Sequence, residues 1–237
     1  MDFGCDEIKC INIQTRNDKR ELFSKMMSSE NIDFEYFNAI VDKNNPSRGC
    51  FKSHAKIISD AYENGTKRLM VFEDDALLNK QISLENVDEI RKFLDNEDWD
   101  IFFLGGFPEI MLYEIKKHHM YNNIYKGTFL CAAAYILNEK SIKKLKNLEW
   151  GGNTKVIDKD IFMNFDKSYA ILPQMYGQRI ISNDLNYLFN NSKNSYFIRI
   201  REIIINLQIW YSLHINIKFL KLLLLVIIFV ILLVKIN

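Results

Sequence analysis

Apolar residues come along this chain in short runs of two kinds, and their alternation predicts a fold class. Residues 7–13 (EIKCINI), 34–40 (FEYFNAI), 68–72 (RLMVF), 99–106 (WDIFFLGG), 131–137 (CAAAYIL) and 168–173 (SYAILP) read as strands. They are brief, bounded by polar or turn residues, and rich in Ile and Phe. Between them the period changes to that of a helix. After Asn17 or Asp18 as N-cap, Leu22, Phe23, Met26 and Met27 fall on one helical face. Residues 50–65 have helical period and end on Asn64-Gly65, a C-cap signal. Further helices are expected at 83–94, 138–148 and 156–165, with 41–49 a loop, 116–125 polar linkers and Gly151-Gly152 a break. Strands alternating with helices predict an α/β fold, a single Rossmann-like domain with a mostly parallel sheet. No internal repeat is present, and no domain boundary is expected before about residue 195.

The last stretch follows a different pattern. From Leu222 to Val234 no polar residue occurs, and extending back to Ile215 gives the length of about 20 residues that a bilayer requires. Lys218 and Lys221 would then snorkel to the headgroups. The expected division is therefore an α/β domain at 1–195, a linker or amphipathic segment at 196–214 and a C-terminal membrane anchor at 215–237. A buried core helix or an interfacial helix is the other reading of that segment. The start, MDFGCDEIKCINIQ, is too acidic and polar for a signal peptide, so the domain is expected on the cytosolic side of a membrane.

Composition narrows the classes without choosing one. In 237 residues the net charge is +1, which gives no basic surface for nucleic acid. Seventeen Phe and eleven Tyr favour a packed interior over disorder. Cys5, Cys10, Cys50 and Cys131 form no CxxC pair, so neither a zinc knuckle nor a disulfide framework is indicated; all four read as buried or free thiols, with one disulfide the alternative in an oxidising lumen. The paired His118-His119 reads as solvated, and no GxxxxGK[ST] phosphate loop is present.

The segment RLMVFEDDALL (68–78) carries the chemistry. An apolar strand runs straight into Glu73-Asp74-Asp75 and then into another apolar run. Adjacent negative charges at the end of a buried strand are costly unless something positive completes them. In open α/β sheets ligands bind beyond the carboxyl ends of the strands, where this triplet sits. Alternate residues of an extended segment share a face, which pairs Glu73 with Asp75 and turns Asp74 away. Two carboxylates on one face suit Mn²⁺ or Mg²⁺, which take a few protein oxygens together with substrate phosphates.

The stretch RGCFKSHAKIISDAYENGTKRLMVFEDDALL (48–78) resembles the signature of glycosyltransferase family 25, the lipopolysaccharide-biosynthesis and collagen galactosyltransferase group. Gly49-Cys50, Ser53-His54 and Glu73-Asp74-Asp75 stand for its G-C-x-x-S-H and E-D-D elements. Residues 8–22, 99–106, 127–145, 156–162 and 172–185 resemble further family segments in the same order. The resemblance implies a type-A glycosyltransferase (GT-A) fold and an inverting, metal-dependent transfer. The hexose, galactose or glucose, would pass from a nucleotide-diphosphate sugar such as a UDP-hexose to a glycan, a lipid-linked saccharide or a protein hydroxyl. It implies Glu73 and Asp75 as metal ligands, and Asn12, Arg16, Arg20, His54, Asp74 and Gln178 as nucleotide-sugar contacts. Asp158 and Asp160 are the candidates for the catalytic base, with Asp158 matching the family aspartate. A membrane-anchored nucleotide-binding or interaction protein without catalysis is the rival expectation.

Overall fold

The computed structural model describes residues 2–78, 84–109, 115–172 and 174–178. The linker and anchor expected at 196–214 and 215–237 lie outside those residues. Among the described residues, no helix is long and apolar enough to cross a membrane.

The chain opens with β1 (Glu7–Asn12), α1 (Asn17–Ser29), β2 (Glu35–Asn38), α2 (Pro46–Glu63) and β3 (Arg68–Glu73). It continues through β4 (Ala76–Leu78), α3 (Leu84–Asn96), β5 (Ile101–Phe103), β6 (Phe107–Pro108), β7 (Lys116–Lys117), β8 (Ile124–Lys126) and β9 (Phe129–Leu130). Then come β10 (Ala134–Asn138), α4 (Glu139–Leu145), a π-helical turn (Ile157–Ile161), a 3-10 turn (Phe162–Asn164), β11 (Ser168–Ile171) and β12 (Tyr176–Gln178). Among the described residues, eight strands form one sheet in the order β2-β1-β3-β10-β5-β11-β8-β7. Strands β2, β1, β3, β5, β11 and β7 point one way, because β1 pairs parallel with β2 and β3, and β11 with β5. Only β10 and β8 run against them. The result is a mixed α/β fold whose central sheet is mostly parallel in direction, as the alternation of periods predicts.

Both sheet faces are buried, and the period-2 rule sorts the side chains between them. Met70 and Phe72 of β3, Phe102 of β5 and Ile136 of β10 pack with Phe23, Met27, Ile90 and Phe93 from α1 and α3. Their neighbours Leu69, Val71, Ile101, Phe103, Tyr135 and Leu137 pack on the other face with Phe51, Ile58 and Ala61 of α2 and Ile142 of α4. Such doubly covered strands read as continuous apolar runs, which is why RLMVF and DIFFL show no polar alternation.

Several boundaries differ from the sequence expectation. Pro46, placed in a loop, is the first residue of α2, and Asn45 caps the helix by accepting from the Arg48 N–H. A proline costs nothing at that position because its missing N–H would be unpaired anyway. The supposed linkers at 116–125 contain β7 and the start of β8, which extend the sheet edge. His118 is not solvated: its ring packs against Phe93 and Tyr121 and stacks on His119. The helix expected at 156–165 is a π turn followed by a 3-10 turn.

Candidate active site

Because β1, β2 and β3 are parallel and adjacent, Asn12, Asn38 and Glu73 finish at one edge of the sheet. A cleft of about 550 Å³ opens there. One part of its wall is apolar, with Ile13, Ala39, Ile40, Val41 and Pro46; another is polar, with Arg16, Lys19, Lys43 and the Glu73-Asp74-Asp75 turn. Ile13, Ile40 and Val41 are 40%, 38% and 58% exposed, large hydrophobics held at the mouth without cover.

Helix α2 forms one side of this cleft through the Gly49-Cys50-x-x-Ser53-His54 motif. Gly49 lets the first turn press on the loop after β2: a Cβ there would stand 2.5 Å from the Ile40 carbonyl oxygen. Ser53, fully buried, ties the same loop down by accepting from the Ile40 N–H at 2.8 Å while donating to the Gly49 carbonyl. His54, also fully buried, reaches Glu73 Oε1 with Nε2 at 3.2 Å and Tyr135 Oη with Nδ1 at 2.9 Å. Cys50 lies one helical turn before His54, its Sγ 3.9 Å from the same Glu73 oxygen. The thiol opens to the cleft, yet the surrounding walls and then the charges of Glu73, Asp158 and Asp75 push its pKa up.

The acidic turn divides its side chains among different partners. Glu73 faces α2. Asp74 turns under the end of β1, accepting from Asn12 Nδ2 at 2.8 Å and pairing with Lys19 Nζ at 3.2 Å. Asn12 is fully buried and also donates to the Arg16 carbonyl, so its amide holds the turn and the start of α1 together. Arg16, the N-cap residue of α1, lines the cleft and grips Asp18 through two bonds of 2.9 Å. Arg20, one helical turn on, is directed elsewhere: its guanidinium lies 4.2 Å over the Tyr36 ring. Gln178 is the last residue of β12, in register with Ala76 just after the acidic turn, and its side chain is outside the described set.

The two aspartates proposed for proton transfer occupy different positions. Strand β10 enters antiparallel to β3, so the residues before it come to the carboxyl end of β3, and the Glu73 N–H donates to the Ala133 carbonyl at 2.9 Å. Cys131 there has φ +80°, a left-handed conformation that a non-glycine residue holds only when its surroundings enforce it. Its N–H donates to Asp158 Oδ2 at 2.8 Å, which ties Asp158 to the segment entering β10, and the Lys159 N–H donates to Asp158 Oδ1 at 2.8 Å. Asp160 instead accepts from the Lys155 and Val156 N–H groups at 2.8 and 2.7 Å, and these bonds hold its pKa below the usual range. The five-residue turn itself offers almost no helix dipole to either aspartate.

Residues 45–163 match the model for glycosyltransferase family 25 (LPS biosynthesis protein), half of the chain and the span that holds α2, the acidic turn, Cys131 and Asp158. The chain belongs to glycosyltransferase family 25. It is a glycosyltransferase. Three solved structures are similar to it at low identity. A197 from STIV has a TM-score of 0.44 at 10% identity, over 72% of this chain and 82% of that one. UDP-glucose pyrophosphorylase complexed with UDP-glucose has 0.42 at 10%, over 73% and 74%. A glycosyltransferase involved in glycosylating the major capsid of PBCV-1 has 0.35 at 15%, over 59% and 62%. These scores are low, and no residue's role in this transferase follows from them.

Tyr135, Cys131, Lys19 and Lys43 belong to the site or its support without having been singled out from the sequence. Cys131 and Tyr135 stand within 127–145, one of the segments that resemble the family.

Proposed function

We propose that this chain is an inverting, metal-dependent hexosyltransferase that uses a nucleotide-diphosphate sugar, of the UDP-hexose type, as donor. The observation that carries this is the cleft at the carboxyl ends of β1–β3, where an apolar mouth adjoins basic side chains and three carboxylates. The apolar mouth suits a nucleobase, Arg16 and Lys43 suit phosphates, and the acidic turn suits a divalent ion. Glu73 and Asp75 offer the hard oxygen donors that Mn²⁺ or Mg²⁺ takes, while Asp74 is committed to Lys19 and Asn12. When bound there, the ion would supply charge neutralisation for the departing diphosphate.

Inversion needs a carboxylate that removes the proton of the acceptor hydroxyl as its oxygen attacks the anomeric carbon and the bond to the diphosphate breaks. Asp158 is preferred to Asp160 because its bond from the Cys131 N–H ties it to the segment that pairs with Glu73, whereas Asp160 turns to the Lys155 and Val156 N–H groups. The acceptor is a glycan, a lipid-linked saccharide or a protein hydroxyl. The apolar segment 215–237 would hold the domain at a membrane.

Two substitutions separate the assigned roles. Asp75→Ala is expected to abolish metal-dependent donor binding. Asp158→Asn is expected to leave donor binding unchanged and to lower transfer by about 100-fold or more, the usual worth of a general base. Full transfer by Asp158→Asn would refute the base assignment.

A further inference from the structure

We propose that Cys50, His54 and Glu73 form a three-donor binding site for a borderline divalent transition metal of the zinc class, set into the wall of the cleft. Sγ of Cys50, a ring nitrogen of His54 and a carboxylate oxygen of Glu73 all lie within 4.8 Å of one another. These are the three donor types zinc accepts, and the set includes the soft sulfur that Mg²⁺ and Mn²⁺ do not seek.

The geometry is close to what such an ion needs. Tetrahedral coordination at ordinary zinc distances places nitrogen and oxygen donors about 3.4 Å apart, and sulfur and oxygen donors about 3.6 Å apart. Here Nε2 of His54 and Sγ of Cys50 stand 3.2 and 3.9 Å from Glu73 Oε1. The two contacts to Glu73 each need a shift of a few tenths of an ångström, and the third, between Cys50 and His54, lies within 4.8 Å.

Three further features support it. Cys50 and His54 are four residues apart on α2, so one rigid helical face presents both. His54 already has the outer partner that metal-ligating imidazoles require, with Nδ1 on the hydroxyl of fully buried Tyr135 at 2.9 Å, which orients Nε2 toward the donors. Cys50 is exposed to the cleft, which gives an entry path and leaves the fourth coordination position facing the cavity. On binding, the thiol proton is released to solvent and the thiolate sulfur takes the metal.

The site shares Glu73 with the hard-ion role given to Glu73 and Asp75, but takes its other donors from Cys50 and His54 and needs no nucleotide sugar. The test therefore uses metal alone. The full-length chain, stripped with chelator, is titrated with Co²⁺ and followed by absorbance. Thiolate-to-cobalt charge transfer and intense tetrahedral d–d bands, saturating at one ion per chain and displaced by Zn²⁺, are expected. Cys50→Ser, a small change at an exposed position, should remove the charge-transfer band while circular dichroism stays unchanged. Tyr135→Phe should keep the band and weaken binding about 10- to 100-fold, the usual effect of losing an outer partner. An absent charge-transfer band, or an identical one in Cys50→Ser, would overturn the proposal and leave a plain His54–Glu73 hydrogen bond.

Discussion

Glu73 and Asp74 are neighbours whose charges are met in different ways. Asp74 and Lys19 are both nearly buried, with side chains 12% and 10% exposed, and Asn12 completes the carboxylate's hydrogen bonding. Removing one member of such a pair leaves the other's charge uncompensated. Lys19→Met should therefore cost about 3 kcal/mol, seen as a lower urea midpoint at unchanged slope; an unaltered midpoint would show that Asp74 is supported without the lysine. The acidic triplet was legible in the sequence because three charges after an apolar strand need an explanation. Their division among partners was not, because it depends on the turn at 74–75, which ends the strict alternation of the strand. Arg20 shows the same limit: one turn beyond Arg16 on α1, it faces Tyr36 rather than the cleft, and only the packing of α1 on β2 decides that.

At the scale of elements, α2 does most to shape the site. Its first turn lies against the loop after β2, a contact that depends on the absence of a side chain at Gly49. Gly49→Ala would drive a methyl into the Ile40 carbonyl and the Asp42 amide, both backbone atoms that cannot swing aside. The expected cost is about 1–3 kcal/mol in urea unfolding, together with weaker donor binding as the cleft wall moves. Unchanged stability and binding would show that the loop yields freely. The strands and helices of the first half were legible because doubly buried strands and amphipathic helices have distinct periods. The start of α2 was misplaced because Pro46 marks a helix entry as readily as a loop. The π turn at 157–161 was read as part of a regular helix, since DKDIF has helical period whichever ladder it forms. Strands β7 and β8 were missed because Lys116 and Lys117, exposed at the sheet edge, show no apolar alternation.

For the whole molecule, sheet order matters more than any single element. Three parallel strands bring the opening, the loop after β2 and the acidic turn to one edge. The antiparallel entry of β10 then delivers Cys131, and with it Asp158, from much later in the chain to the same place. No local pattern encodes that convergence; the collinear family motifs implied it without explaining it.

The proposed function requires this edge to hold a nucleotide sugar through a divalent ion. Calorimetric titration of the full-length chain with UDP, GDP and their hexose conjugates tests it most directly, first with Mn²⁺ and then with EDTA. Saturable binding of one nucleotide class in Mn²⁺, lost in EDTA and lost in Asp75→Ala, is the predicted result. Binding of no nucleotide under any condition, or equal binding with the metal removed, would contradict the account.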